Sequence, residues 1–141
     1  MHDENCIFCK IVSGEIPSHK VYEDKDVYAF LDASPLTAGH TLVITKDHYE
    51  NFMSVPQEKL HNVMDVVQKI GQAQIRGLLA RGVNIISNAG TIAGQAIMHF
   101  HIHVIPRYEV GDGFRITEFN PDDAINFNLP VLAGKISDEL K

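Results

Sequence analysis

Residues 95–107 read Gln-Ala-Ile-Met-His-Phe-His-Ile-His-Val-Ile-Pro-Arg. A period of two predicts a β-strand here, with His99, His101 and His103 on one face. The buried apolar face of the same strand would come from Met98, Phe100, Ile102 and Val104. Because an imidazole titrates at about pH 6.5, three of them on one surface disfavour full protonation. At least one ring therefore stays neutral and available as a nucleophile or a metal ligand.

The repetition of histidine matters more than any one of the three residues. A single histidine on a strand is more often structural than functional. A solvated strand face would ordinarily use Thr, Lys or Glu rather than a repeated titratable ring. The strict i, i+2, i+4 spacing therefore indicates that this strand carries the chemistry of the chain.

Length and composition fit one globular domain. The 141 residues are 45% hydrophobic and 21% charged, which is enough for a core without disulfides and argues against disorder. The formal charge of −6 disfavours a surface for nucleic acid polymers, which would need clustered Lys and Arg, but it is compatible with nucleotide monomers. We expect a single domain over residues 1–141, with a core at about 5–107 and a C-terminal extension at 108–141.

The N-terminal region predicts a cytoplasmic protein. Residues 1–5 have neither the cationic nor the apolar region of a secretory signal, and no apolar run approaches the length of a membrane span. Cys6 and Cys9 lie too close in sequence for a useful disulfide staple. We therefore expect no membrane association.

The remaining elements predict an α+β fold with an antiparallel sheet. Short strands are expected at 21–23, 27–32, 40–45 and 83–88, and a short helix at 6–12. A long helix would begin with Ser54 as its cap and Gln57 at N3, and would end at Gly82. Its apolar face would consist of Leu60, Val63, Met64, Val67, Ile70, Ile75 and Leu78. A short helix begun by Asn128 is expected at 130–140.

Residues 99–105 also match a family signature. The pattern His-φ-His-φ-His-φ-φ, with φ apolar, is satisfied at every position. The chain thereby resembles the histidine-triad (HIT) nucleotide-binding proteins, and most of all the Hint-type and bacterial members. The resemblance continues in residues 6–17, 29–32, 39–44 and 88–90, and covers roughly residues 5–107.

This resemblance implies a fold and a reaction. The expected fold is a five-stranded antiparallel sheet with one long helix and a short N-terminal helix, which pairs into a homodimer with a larger sheet. The expected activity is cleavage of purine nucleotide conjugates at the α-phosphorus. His101 would attack phosphorus and form a nucleotidyl-histidine that water hydrolyses, and His103 would contact the phosphate. An imidazole suits this role because its bond to phosphorus breaks readily on reprotonation.

The resemblance also implies a nucleotide pocket. Asp32 would hold the ribose hydroxyls, although by itself it could equally be a turn-initiating residue. Gln95 would act near the phosphate, although it could be only a polar residue at the strand entry. Backbone N–H groups around Gly94 would add donors to the phosphate, and His40 is a candidate partner that fixes the tautomer of His101. The other nucleotide-binding residues would be Ile7, Phe8, Ile11, Phe30, Asn88 and Ala96.

Ala96 is a departure from the family pattern. Many Hint-type members carry a hydroxyl residue at this position, where it can donate a proton to the leaving group. This chain lacks that donor, so we expect backbone, water or Gln95 to take over its duty. The sequence therefore leaves open how efficiently the chain would hydrolyse substrates with amine leaving groups.

Cys6-x-x-Cys9 is half of a zinc motif. From the spacing alone, a redox dithiol and two inert small residues are rival interpretations. Bacterial HIT proteins with a similar opening bind zinc, and the resemblance implies that the ligands here are Cys6, Cys9, His48 and His99. Such a closed Cys₂His₂ site would be structural rather than catalytic.

Three alternatives compete with the first interpretation, a nucleoside phosphoramidase or nucleotidyl hydrolase. Within the enzyme class, a dinucleoside polyphosphate hydrolase differs only in its leaving group. A non-catalytic nucleotide-binding adaptor would use the same histidines without turnover. A metal-dependent oxygenase or cupin is the weakest alternative, because the expected downstream carboxylate spacing is missing.

Overall fold

The computed structural model describes residues 2–140, which form one antiparallel sheet with three helices. The helices are α1 (Ile7–Val12), α2 (Gln57–Leu78) and α3 (Leu129–Asp138). The sheet order is β1-β2-β3-β5-β4, and every neighbouring pair is antiparallel. The predicted α+β class and five-stranded sheet are confirmed. The strands are β1 (Lys20–Glu23), β2 (Val27–Leu31), β3 (Thr41–Thr45), β4 (Gly82–Ile86) and β5 (His101–Arg107).

One face of the sheet packs against α2. Alternate residues of the central strands point to this face, as the two-residue period of a strand requires. On the helix, the buried apolar positions recur every three or four residues, as an amphipathic helix requires. The resulting core contains Val27, Ala29, Val43, Ile102 and Val104 from the sheet, with Val63, Val66, Val67 and Ile70 from α2.

The opposite face packs against α1. Phe8, Cys9 and Ile11 from α1, together with Cys6 at its N-cap, cover this face. The strand residues beneath them are Tyr28, Phe30, Leu42 and Ile44. In register, Leu42 lies opposite His103 and Ile44 lies opposite His101. The histidine-bearing face of the sheet is therefore the one that α1 covers.

The histidine strand is shorter than the sequence predicted. It begins at His101, so His99 precedes it, and Met98 is exposed rather than part of the apolar face. The preceding segment pairs with a loop instead of a strand, because the Phe100 N–H donates to the Tyr49 carbonyl at 2.7 Å. Gln95 Nε2 donates to the Glu50 carbonyl at 2.6 Å in the same region.

The boundaries of α2 also differ from the prediction. Its N-cap is Pro56, and Ser54 instead completes a capping box with Asn51 in the preceding turn. The helix ends at Leu78 because Leu79 adopts a left-handed conformation with φ of 60°. Gly82 begins β4 rather than ending the helix. The predicted apolar face was partly wrong, since exposed residues there include Met64, Ile75 and Leu78, while Val66 is buried.

The C-terminal region extends away from the sheet. Every residue from 115 to 140 is exposed. The predicted helix is present as α3, and the Asn128 side chain caps it by accepting the Val131 N–H at 3.2 Å. Within residues 2–140, no helix has the length and apolar character needed to cross a membrane.

Candidate active site and metal centre

A cavity of about 370 Å³ lies where α1 meets the histidine-bearing face. Its size and its apolar walls with a few polar groups are typical of small-ligand sites. The sequence did not predict Ala33, Leu42 and Ile97 as part of it. Alternation along β3 could have found Leu42, because it shares a face with Ile44. The predicted site residues that line the cavity are Ile7, Phe8, Ile11, Phe30, Asp32, Gly94, Ala96, His101 and His103.

His101 is held as a neutral ring with one nitrogen free. Its Nδ1 lies 2.7 Å from the His99 carbonyl oxygen, which can only accept, so the hydrogen-bond network gives Nδ1 the proton. Nε2 then carries the lone pair. Burial lowers the pKa of His101, and the edge-on Phe8 ring, with its centroid 5.1 Å away, contributes to that burial. The arrangement suits a nucleophile that must be uncharged near neutral pH.

His103 is held as a donor by a chain of hydrogen bonds. The Leu36 N–H donates to His40 Nδ1 at 3.1 Å, so the proton of a neutral His40 is on Nε2. That Nε2–H donates to His103 Nδ1 at 2.9 Å. The proton of His103 is consequently on its own Nε2. Burial lowers the pKa of His103 to about 4, with further lowering from the charges that His101 and His40 would carry.

His40 therefore serves a different histidine from the one expected. The sequence suggested it as the tautomer-fixing partner of His101, but that partner is the His99 carbonyl. Burial lowers the pKa of His40, and the charge of Asp32 opposes this effect. His40 was identifiable only as a nearby polar residue, because its pairing depends on the register between β3 and β5.

Asp32 is a turn-initiating residue that also lines the cavity. Its Oδ1 accepts the Ser34 N–H at 2.8 Å, which is the turn-initiating contact. Its Oδ2 lies 3.5 Å from His40 Nε2, and the residue lines the cavity. The atoms of Asp32, His40 and His103 that could bind a metal ion lie within 4.8 Å of one another. The hydrogen bond between the two imidazoles accounts for this cluster without a metal.

Gln95 does not reach the cavity. It is almost fully buried, and its amide is used by backbone groups: Oε1 accepts the Gly90 N–H at 2.8 Å, and Nε2 donates to the Glu50 and Ile97 carbonyls. The prediction that it acts at the phosphate is therefore corrected, because these contacts leave the side chain no free group. Gln95 holds the loop before β5 in place.

The turn around Gly94 also differs from expectation. The Gly94 N–H donates to the Thr91 carbonyl at 3.0 Å and the Gln95 N–H to the Gly90 carbonyl at 3.1 Å. These two donors are thus not available to a phosphate. Asn88 lies beside the turn, with Nδ2 3.5 Å from the Gly94 carbonyl oxygen, and is not among the residues that line the cavity.

Cys6, Cys9, His48 and His99 come together as a four-ligand cluster. Their ligand atoms all lie within 4.8 Å of one another. His99 Nδ1 is 3.3 Å from Cys6 Sγ and 3.6 Å from Cys9 Sγ, and His48 Nδ1 is 3.5 Å from Cys9 Sγ. Ordinary zinc bond lengths in a tetrahedron put sulfur and nitrogen ligands about 3.5 Å apart. The cluster therefore fits zinc.

The surroundings of the cluster favour a bound cation. His99 Nε2 lies 2.7 Å from the Thr45 carbonyl oxygen, so its proton is there and the Nδ1 lone pair faces the thiols. The Cys9 N–H donates to Cys6 Sγ and the Asp3 N–H to Cys9 Sγ, both at 3.4 Å. Burial raises the pKa of the Cys9 thiol, which makes a thiolate costly unless a cation offsets its charge.

Comparison with known proteins gives consistent matches. The family model described as HIT domain matches residues 13–110. The relative named Protein hit, from Bacillus subtilis (strain 168), is 46% identical over 134 residues, which cover 91% of this chain and 92% of the relative. The crystal structure of a HIT family member from Bacillus subtilis is 43% identical with a TM-score of 0.89, and the match covers 98% of this chain and 99% of that chain.

Two more distant matches carry informative names. A Candida albicans relative named adenosine 5'-monophosphoramidase HNT1 is 34% identical over 141 residues, which cover 97% of this chain and 90% of the relative. A zinc-bound histidine triad family protein from Mycobacterium smegmatis is 36% identical with a TM-score of 0.75, over 95% of this chain and 97% of that chain.

Proposed function

The chain belongs to the HIT family, and from this premise we propose that it hydrolyses purine nucleotide conjugates at the α-phosphorus, with His101 as the nucleophile. The observation that carries the proposal is the state of His101, a buried neutral imidazole with Nδ1 bonded to a carbonyl and Nε2 free beside the cavity. The apolar walls contributed by α1 and β2 would receive the base, and Asp32 Oδ2 the ribose hydroxyls.

The first step forms a bond between His101 Nε2 and the α-phosphorus. The bond from phosphorus to the leaving group breaks, and the leaving group departs with the bonding electron pair. The positive charge that develops on His101 is shared through Nδ1–H with the His99 carbonyl. His103 Nε2–H is a donor for the phosphate oxygens or the departing atom, because His40 fixes its tautomer.

The second step breaks the bond between phosphorus and nitrogen. Water attacks phosphorus, gives up a proton and leaves a nucleoside monophosphate, while the electron pair returns to Nε2. Splitting the reaction in this way replaces one difficult hydrolysis by two easier displacements. His103 stays neutral and keeps its Nε2 proton, which it donates as a hydrogen bond to the phosphate oxygens in this step as in the first, while the proton that the attacking water gives up passes to solvent.

The two candidate activities, phosphoramidase and dinucleoside polyphosphate hydrolase, differ in their leaving group. The phosphoramidase named among the relatives supports an amine, whereas a dinucleoside polyphosphate would release a nucleotide. Ala96 lines the cavity with a methyl group where a hydroxyl donor would assist an amine. A phosphate leaving group needs less proton assistance than an amine. The absence of that hydroxyl is the feature that keeps the dinucleoside polyphosphate hydrolase as the second candidate.

We propose a structural zinc ion held by Cys6, Cys9, His48 and His99, supported by the fit of their distances and by the zinc-bound relative. Four protein ligands leave no open position, so the metal would act as a cross-link between α1 and the segment before β5. It would take no part in the reaction steps. Through His99, whose carbonyl holds His101, the cross-link would help to orient the nucleophile.

We also propose a homodimer with a continuous sheet. The edge strand β4 is unpaired on one side in the single chain, and its Ile85 is 53% exposed. An open strand edge with apolar side chains is a surface that proteins cover, here by the β4 strand of a second copy.

One pair of assays tests the function. We would incubate the protein with an adenosine phosphoramidate and with a diadenosine polyphosphate, and compare wild type with His101→Ala. His61→Ala, an exposed histidine on α2, is the matched control. We expect wild type and His61→Ala to hydrolyse at least one substrate, and His101→Ala to lose about 10³-fold or more in turnover. Wild type denatured at alkaline pH during turnover should carry one nucleotidyl group on His101 by mass spectrometry, because the phosphorus–nitrogen bond survives as long as the ring is not protonated.

The outcomes separate the candidate functions. Faster release from the phosphoramidate supports the first candidate, and faster release from the polyphosphate supports the second. Tight nucleotide binding without hydrolysis of either substrate would indicate an adaptor. Hydrolysis that persists in His101→Ala would overturn the assignment of the nucleophile.

A further inference from the structure

One amide side chain lies on the buried face of α2. Gln74, in the C-terminal half of the helix, is 4% exposed. A polar group in such a core lowers stability unless its hydrogen bonds are made. The contacts of Gln74 therefore decide whether it has a role beyond packing. The other buried residues of this helix are all apolar: Val63, Val66, Val67, Ile70 and Gly71.

The amide nitrogen of Gln74 joins two segments of the sheet. Nε2 donates to the Gly39 carbonyl at 3.1 Å and to the Val104 carbonyl at 3.0 Å, and it lies 3.5 Å from Thr41 Oγ1. Two carbonyl oxygens both accept, so they cannot bond to each other, whereas an amide nitrogen has two protons to donate. The segment before β3 is thereby tied to the middle of β5.

The two carbonyls flank the histidine pair on the opposite face of the sheet. Gly39 directly precedes His40, and Val104 directly follows His103. His40 Nε2 is the atom that lies 2.9 Å from His103 Nδ1. The paired ladder between β3 and β5 ends before it reaches His40. Gln74 therefore provides a connection between the two strands at a level where the ladder provides none.

The amide oxygen of Gln74 has no hydrogen-bond partner. Within residues 2–140, Oε1 is buried and accepts no hydrogen bond. The opposite amide orientation would place this oxygen against the two carbonyls, so the hydrogen-bond network assigns the nitrogen to that side. A buried acceptor without a partner costs stability, and an apolar side chain at this position would avoid that cost. The stability of the core alone therefore does not explain the amide.

We propose that Gln74 is a positioning residue that holds His40 against His103 from the far face of the sheet. This role rests on the proposed function, in which His103 presents its Nε2–H to the phosphate. Without the connection, the segment of His40 can move away from β5 and the bond between the two rings lengthens. His103 Nδ1 then competes with Nε2 for the proton, and stabilisation of the phosphate weakens. The apolar pocket beside α1 is unaffected.

Gln74→Met tests the role, because it removes the amide and keeps an unbranched side chain of similar length. Its matched control is Gln72→Met, the same substitution at an exposed position of α2. We expect Gln74→Met to lose about fivefold in turnover of the nucleotide conjugate that wild type hydrolyses, as the loss of one hydrogen bond predicts. KM should change by less than about twofold, because the base pocket is intact. The melting temperature should equal or exceed that of wild type, and Gln72→Met should behave as wild type throughout.

Nitrogen NMR of isotope-labelled, nucleotide-free protein reports the tautomer of His103. In wild type, the protonated Nε2 and the bare Nδ1 should give two well-separated signals. In Gln74→Met these signals should move toward each other, because the ring exchanges between its two tautomers. A core substitution that only lowers stability, such as Val67→Ala, should leave them in place.

The NMR measurement does not require hydrolysis, so it separates the two proposals. If wild type cleaves neither substrate, the proposed function fails, and a changed His103 signal in Gln74→Met still shows that Gln74 holds the two rings together. If wild type is active, unchanged His103 signals or unchanged turnover in Gln74→Met would overturn the positioning role. Equal effects in Gln72→Met would overturn it as well.

Discussion

The three histidines occupy equivalent positions of the sequence motif but have different hydrogen-bond partners in the fold. His99 directs Nδ1 to two thiols, His101 donates its Nδ1 proton to a carbonyl, and His103 accepts from His40. The sequence predicted a division between a metal ligand and a nucleophile through family resemblance. It could not predict the hydrogen-bond partners, because these depend on the loop before β5 and on the register between β3 and β5. The state of each ring follows from its partner rather than from its place in the motif.

His103 should make the stability of the fold dependent on pH. Its pKa is lowered to about 4, chiefly by burial, from about 6.5 in an unfolded chain. Above about pH 6.5 the ring is neutral in both states and its contribution is fully present. Between about pH 6.5 and 4 the unfolded chain binds more protons, so stability falls. We expect His103→Gln to lose about 1–2 kcal/mol less than wild type between pH 7.5 and 5, because the full linkage over this window is ~2 kcal/mol and the ring is partly exposed.

Denaturant unfolding at the two pH values, with zinc in excess, measures this difference. His61→Gln provides the control, since it removes an exposed imidazole from α2. An equal loss of stability in wild type and His103→Gln would contradict the burial of a neutral His103.

Ala96 should limit catalysis with amine leaving groups. The residue lines the cavity, so Ala96→Ser would place a hydroxyl beside the substrate. A positioned proton donor accelerates departure of a poor leaving group, and we expect turnover of an adenosine phosphoramidate to rise about tenfold. Turnover of a diadenosine polyphosphate should change little. Ala93→Ser, in the same loop but away from the cavity lining, should affect neither rate, and a rise there would point to a loop effect instead.

At the scale of elements, α1 links the four-residue Cys/His cluster to the cavity beside His101. Phe8 lies between the two cysteines in sequence and packs edge-on against both His99 and His101. The sequence predicted this helix, and the residues of it that the family resemblance assigned to the pocket, Ile7, Phe8 and Ile11, line the cavity. It did not predict that residues 95–100 lie outside the strand, because no local sequence pattern indicates their pairing with the loop at Tyr49. The alternation rule fails there, since it assumes a neighbouring strand.

Removal of the proposed zinc should loosen α1 and weaken nucleotide binding. In Cys6→Ser/Cys9→Ser we expect metal content to fall from about one zinc per chain to none. Because the metal joins α1 to His99, the melting temperature should fall and the dissociation constant for AMP should rise about tenfold. Elemental analysis, thermal unfolding and calorimetric titration measure these three effects on protein purified without an affinity tag.

Chelation of wild type gives the matched comparison for the zinc prediction. Zinc removal should reproduce the variant, and zinc added back should restore only the wild-type chain. Wild type that lacks metal as purified and does not bind added zinc would contradict the site.

At the scale of the whole molecule, the two faces of the sheet have different duties. The α2 face holds a large apolar core, while the α1 face holds the cavity and the Cys/His cluster. Strand periodicity predicted the histidine face and helix periodicity part of the α2 core, since each depends on residues close in sequence, whereas the pocket residues and the Cys/His cluster were implied by the family resemblance. The Cys/His cluster and the tautomer chain join distant segments, which periodicity does not address. The residues on which the proposed function depends therefore lie on the face that α1 covers.

This division predicts that stability and binding can be changed separately. Val67 is 1% exposed in the α2 core, and Val67→Ala should cost about 2 kcal/mol of unfolding free energy by leaving a cavity. Phe8→Leu keeps most of the side-chain volume and should cost about 1 kcal/mol. It removes the ring edge beside His101, however, and should weaken AMP binding about fivefold, equivalent to the ~1 kcal/mol of an aromatic contact. Below the melting transition, Val67→Ala should bind AMP as wild type does.

Denaturant unfolding and calorimetric titration of both variants test the pattern. A loss of AMP binding in Val67→Ala equal to that in Phe8→Leu would mean that the two faces are not independent.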